Sequence, residues 1–274
     1  MDPRFSPTSA DLRREAARTA ALLRTVPTPG ARVPGLEWTV AETAAHLVAE
    51  VRHYTGFAAG TARAQDVLNT LTVGPGAAPG EVNAAANARA LAEFTERDPA
   101  VLADALEAGV EEFAAAVAGL PPAQPILTTN GLTMTAPVMT AALLGEQLVH
   151  GLDVARAVQV PWRIQRREAQ LVVEGVLAMA AGYVDRRRTA GLRVSYELRF
   201  RGGPRHRFVV RDGTARVTPA GDPVDCVISA DPVAFLLVGY GRTGQWGQVL
   251  RGRLVAGGRR PWLGLRFAGL LTSV

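Results

Sequence analysis

The chain has 274 residues, enough for two domains, and its 48% hydrophobic and 20% charged content is that of a globular protein rather than a disordered one. It lacks an uninterrupted apolar run of roughly 18 residues, and residues 1–17 lack the apolar stretch of a secretory signal, so a cytoplasmic protein with no membrane partner is expected. The net charge is +5, Cys226 is the only cysteine and no lysine is present; these counts exclude an internal disulfide, a cysteine zinc knuckle and lysine Schiff-base chemistry.

Leu12, Ala16, Ala20 and Leu23 recur at helical spacing and predict a first helix over residues 9–26, with Ser9 as its N-cap. After a Pro/Gly loop, Thr39 and Glu42 form a T-x-x-E capping box, so a second helix is expected from about 40 to 63. Residues 74–80 are too rich in Gly and Pro for helix and read as a flap. A third helical region over 82–118 should break near Asp98-Pro99. Pro137 suits the first turn of a fourth helix that runs to about 157, and a fifth is expected over 164–188.

Beyond Gly191 the period changes. Residues 194–200 alternate, and two short β-runs flank Asp212-Gly213, the signature of a hairpin. Val227-Ile228 predicts a further strand, Asp231-Pro232 opens an apolar helix ending near Gly239 or Gly241, and residues 251–266 read as a basic tail. The expected organisation is a helical bundle over 1–160, a connecting helix over 161–190 and an α+β domain over 191–274.

Charge follows the same division. Residues 1–150 carry 10 Arg against 16 acidic residues (net −6), whereas 151–274 carry 20 Arg against 9 (net +11). The arginines are spread over helix, strands and turns without any nucleic-acid-binding motif, which argues against a nucleic-acid partner. Attraction between the halves, or an anionic small molecule, accounts for the split.

The histidines are His46, His53, His150 and His206. Glu146 and His150, four apart on one helix, could chelate a single ion. The pairs Glu42/His46 and His46/Glu50 have the same spacing, so spacing alone does not choose. Glu42 is occupied by the capping box, and Glu50 lies towards a charged stretch. If His46 faces Glu146 and His150, two nitrogens and one carboxylate oxygen leave a fourth position open, as in catalytic zinc sites. A lone histidine on an apolar face is also an ordinary core residue. Asp153 could accept the second ring N–H of His150 or be a surface carboxylate. His53 could be a base, a substrate contact or a polar residue at the bundle end, and His206 is expected in a loop with no role.

Residues 38–47, Trp-Thr-Val-Ala-Glu-Thr-Ala-Ala-His-Leu, and residues 144–157, Leu-Gly-Glu-Gln-Leu-Val-His-Gly-Leu-Asp-Val-Ala-Arg-Ala, resemble the paired signatures of the mycothiol-dependent maleylpyruvate isomerase family. Residues 225–232 and 252–261 resemble its second domain. The resemblance implies a DinB-type four-helix bundle followed by a smaller sterol-carrier-like α+β domain. It also implies a metal, taken to be zinc, on His46, Glu146 and His150, with mycothiol as cosubstrate.

A zinc ion with one carboxylate and two imidazoles keeps positive charge and favours a thiol as its thiolate. Cys226 reads as a small buried residue, so the thiol is external. The expected reaction is cis–trans isomerisation of a small electrophilic substrate, or transfer of the thiol to it. The resemblance further implies an arginine from the second domain, for which Arg253 is chosen over Arg242 and Arg259. Two alternatives are a hydrolase activating water at the same metal, and a carrier binding an apolar ligand among Phe235, Leu236, Leu237, Trp246, Trp262 and Phe267, residues that read equally well as core. The oligomeric state is left open.

Overall fold

The computed structural model describes residues 3–272, which divide into two compact units, each presented by itself. Residues 7–77 and 81–164 form one unit; residues 165–272, with two short segments, 3–6 and 78–80, form the other.

The first unit is built on α1 (Ser9–Leu23), α2 (Val40–Ala58), α5 (Pro99–Ala118) and α6 (Ala136–Ala157), with the shorter α3 (Ala64–Leu68) and α4 (Pro79–Glu93) between α2 and α5. Helix α1 packs on α5 and α6, and α2 packs on the same two, which closes a four-helix bundle. The expected apolar stripe of α1 is buried in full, from Leu12 to Leu23, as are Leu102, Leu106 and Phe113 of α5 and Leu144 and Leu148 of α6, the two helices it packs on. A hairpin of β1 (Ile126–Leu127) and β2 (Thr133–Met134) leads into α6.

The helix ends differ from expectation in instructive ways. Helix α1 is capped by Thr8 rather than Ser9, because Thr8 and Asp11 form a reciprocal capping box. It stops at Leu23, ahead of Pro27, whose ring disfavours helical geometry in the preceding residue. Helix α2 begins at the expected capping box of Thr39 and Glu42 but ends at Ala58, where Gly60 adopts φ 69° and turns the chain. The break at Asp98 is as expected: its side chain accepts from Ala100 N–H and Val101 N–H, and Pro99 opens α5.

The second unit starts with α7 (Arg166–Met179), which gives way to a short 3-10 turn over Ala180–Tyr183. The helix does not continue to 188 because the backbone there is bonded to the end of the chain: Asp185 N–H donates to Leu270 O, and Thr272 N–H to Tyr183 O. A five-stranded sheet follows, from β3 (Arg193–Phe200), β4 (Arg205–Arg211), β5 (Thr214–Pro219), β6 (Cys226–Ala230) and β7 (Leu254–Gly257). Its order is β5-β4-β3-β6-β7, with β3 and β6 parallel and the other pairs antiparallel.

Val194, Tyr196, Leu198 and Phe200 alternate inward along β3, and the β4–β5 turn has Asp212 at φ 46° and Gly213 at φ 80°, the two left-handed positions of a tight hairpin. Helix α8 (Pro232–Gly239) is capped by Asp231, and α9 (Gln245–Leu250) precedes β7. Edge-to-face contacts of Phe267 with Tyr196 and Phe208, at 5.1 and 5.3 Å, form the aromatic centre of this core. The stretch read as a basic tail is ordered, as β7 and a 3-10 turn over Pro261–Arg266. Among the described residues no helix is long and apolar enough to cross a membrane.

Candidate metal centre

The capping box starts α2 at Val40, and six residues further, almost two turns on, the helix presents His46. Helix α6 packs against α2 and presents Glu146 and His150 one turn apart. The Nε2 of His46 lies 3.1 Å from Glu146 Oε2, and the Nε2 of His150 lies 3.2 Å from the same oxygen. The three ligand atoms fall within 4.8 Å of one another. Both histidines are buried, whereas the Glu146 side chain keeps 20% exposure and opens the cluster to solvent.

The cluster carries an excess of acceptor charge. His150 Nδ1 lies 3.1 Å from Asp153 Oδ2, and Asp153 is wholly buried. Burial alone would lower the His150 imidazole, but its hydrogen bonds to Asp153 and Glu146 outweigh burial and push it up to about 9. Burial alone would raise the Glu146 carboxyl, yet the bonds to His150 and His46 hold it well below the usual carboxylate range. The buried Asp153 and the partly exposed Glu146 thus gather positive charge on the imidazole between them.

A divalent cation fits this donor set. Two ligands about 2.1 Å from a tetrahedral ion are separated by roughly 3.4 Å, close to the measured 3.1 and 3.2 Å. The nitrogens that converge are both Nε2, and the other nitrogen of His150 is held by a carboxylate, the arrangement that fixes the tautomer of a metal-binding histidine.

Other sequence candidates separate around this centre. His53 bonds through Nε2 to Thr129 Oγ1 at 3.0 Å and packs against Phe57, and burial lowers its imidazole. It shares a small pocket with Glu50, Asn83 and Asn130, and does not belong to the metal-ligand group. Cys226 is buried and burial pushes its thiol up, the opposite of an activated nucleophile. His206 lies on β4, not in a loop, bonded through Nε2 to Glu174 at 2.9 Å. Arg253 is exposed just ahead of β7, while Arg259 is bound to Asp225 at 2.6 Å and Arg242 to its own backbone at Tyr240.

Two neighbours of the site were given no role from the sequence. The Trp38 ring sits 4.8 Å from that of His46 and 6.1 Å from that of His150, roofing the ligands. It precedes the capping box, outside any helical period, so spacing could not point to it. Glu50 was set aside as a residue near a charged stretch, yet burial and the negative charge of Glu146 push its carboxyl up to about 8. Its signal was the fourth-residue spacing from His46, which on an inward-facing helix keeps both on one side.

The architecture and the site define a class: a helical bundle with an internal two-histidine, one-carboxylate centre, joined to a small mixed-sheet unit. Residues 12–155 match the family model described as the mycothiol maleylpyruvate isomerase N-terminal domain, and the chain belongs to that enzyme family. Among solved structures it is similar to a mutant of the mycothiol-dependent maleylpyruvate isomerase, at 14% identity and TM-score 0.53 over 91% of both chains. It is also similar to the unmutated isomerase, at 15% identity and TM-score 0.50 over the same shares. These likenesses show a shared two-part α+β fold. No curated protein matches the chain.

Proposed function

We propose that this chain is a cytoplasmic, zinc-dependent enzyme that uses mycothiol to isomerise a small electrophilic cis-enoyl diacid, or to transfer the thiol to such a substrate. The observation that carries the reading is the convergence of His46, Glu146 and His150 from two facing helices, in a chain of this family. The proposed division is a metal-binding bundle over about 1–160, a connecting helix over 161–190 and a sterol-carrier-like domain over 191–274.

His46, Glu146 and His150 would hold the ion, whose charge there would favour a thiol as its thiolate at neutral pH. Asp153 orients His150 through Nδ1, so that Nε2 faces the cluster. Trp38 covers the two imidazoles and limits water. His53, whose imidazole is pushed down by its partial burial, is assigned to accept or return a proton during addition and elimination. Arg253, exposed and cationic, is assigned to the substrate carboxylates. In the isomerisation the thiol sulfur adds to the double bond, the resulting single bond rotates, and expulsion of the same thiol restores the double bond in the trans form.

The test is turnover of maleylpyruvate by zinc-loaded protein with and without mycothiol, followed by the change in ultraviolet absorption. The reading expects turnover only when the thiol is present. Turnover without thiol would assign the site to hydrolysis by activated water instead.

A further inference from the structure

The bundle holds a groove of about 650 Å³ between α2, α3 and α4, built wholly from residues 49–94. Its width comes from small side chains: Ala49 of α2 lines it, together with Ala86 and Ala90, one turn apart on α4. Val82 anchors α4 by being buried, whereas Ala86 and Ala90 are left half-exposed. Ligand sites run from roughly 300 to 1,000 Å³, so a small molecule fits here.

Charge in the groove is unbalanced. Three arginines stand against two carboxylates, and one of each is already matched, with Arg89 Nε 2.7 Å from Glu93 Oε1. Arg52 stacks over the Phe94 ring at 4.8 Å, and among the described residues neither Arg52 nor Arg63 forms an ion pair. Stacking steadies the guanidinium and leaves its N–H edge free, the state in which it meets a carboxylate through two parallel hydrogen bonds. Asp66, exposed and three residues after Arg63, offsets only one of the two cations. The groove also adjoins the metal centre: His53 and Ala86 line both it and the small polar pocket containing Glu50, which follows the ligand His46 by one helical turn. A small anion held at Arg52 thus lies one pocket away from the metal ligands.

We propose that this groove binds a small organic carboxylate, anchored on Arg52 with Arg63 as the second cation, and is the subsite by which the bundle itself holds a carboxylate of the electrophilic substrate. The assignment to that substrate rests on the function proposed above; carboxylate binding in the groove does not. A diacid has two carboxylates, so this anchor adds to the one assigned to Arg253.

The test is calorimetric titration of maleate into the full chain, zinc-loaded and metal-free, with its uncharged diamide, maleamide, as the control. Expected is a saturable maleate site in both forms and no binding of maleamide. Arg52→Gln, at an exposed position, should weaken maleate about tenfold, and Ala90→Phe, which fills the groove, should abolish binding. In mycothiol-dependent turnover of maleylpyruvate, Arg52→Gln should raise KM about tenfold and leave kcat unchanged. Equal maleate affinity in wild type and Arg52→Gln, undiminished binding in Ala90→Phe, binding only in the zinc-loaded form, or an unchanged KM would overturn the proposal. Maleate binding that is weakened in Arg52→Gln, in a chain that shows no turnover, would support the carboxylate site and count against the thiol chemistry.

Discussion

Asp153 and His150 stand three residues apart on α6, and the wholly buried carboxylate of the first holds the Nδ1 of the second at 3.1 Å. A buried carboxylate without a cationic or N–H partner would be costly, so the pair fixes the imidazole with its other nitrogen turned towards Glu146. Asp153→Asn should retain the fold but weaken divalent-metal binding by about 10- to 100-fold, as loss of an outer carboxylate does elsewhere. Competition with a chromophoric chelator measures this; unchanged affinity would make Asp153 a packing residue.

Removing a ligand should act more sharply. His46→Ala and Glu146→Ala are expected to lose the divalent ion while keeping helical circular dichroism, since Glu146 is partly exposed and alanine at the buried His46 position keeps high helix propensity. Elemental analysis of purified protein decides it, with metal retained equally in all three proteins as the opposing outcome.

Proton and metal compete for His150. In the metal-free protein its imidazole is pushed up to about 9, so the native state carries the proton at neutral pH. The raised value contributes stability that is complete below the ordinary value of 6.5 and is lost as pH rises through about 9. A divalent ion needs the neutral ring, so its apparent affinity should rise by roughly tenfold per pH unit below that point, with one proton released per ion bound. Calorimetric titration in buffers of different ionisation enthalpy counts that proton.

Glu50 gives a second pH signature. Its carboxyl is pushed from 4.5 to about 8 by burial and by Glu146, so the folded chain holds a proton that the unfolded chain has released. Stability of metal-free protein should therefore fall as pH rises from about 4.5 to about 8, and Glu50→Gln should fall less over that window. Urea unfolding midpoints across pH test the difference.

Gly151, next to His150 on α6, lets Trp162 approach the helix closely. A Cβ there would lie 2.4 Å from Cζ2 of Trp162, whose ring is also covered by the Arg18 guanidinium at 3.7 Å. Gly151→Ala should cost about 1–3 kcal/mol through overpacking, read as a lowered Tm. A stability equal to wild type would show that Trp162 moves freely.

Much of this was legible in local chemistry. The capping box at Thr39 and Glu42, the proline-opened starts of α5 and α6, the Asp212-Gly213 hairpin and the inward alternation of β3 are short-range signals, and each reads directly from adjacent residues. Helix ends at Ala58 and Met179 were not, because one depends on the conformation of a single glycine and the other on hydrogen bonds to residues some ninety positions away. The link between His46 and Glu146, a hundred residues apart, depends on how α2 packs on α6 and was reachable only through the resemblance of both segments to one family. Trp38 was passed over and Glu50 set aside for the same reason: their importance lies in what faces them.

The most direct measurement of the central claim is the near-ultraviolet spectrum of cobalt-substituted protein as mycothiol is added. The account predicts a thiolate-to-cobalt charge-transfer band that saturates at one thiol per chain and is missing in Glu146→Ala. A spectrum unchanged by mycothiol, in protein shown to hold one cobalt per chain, would contradict it.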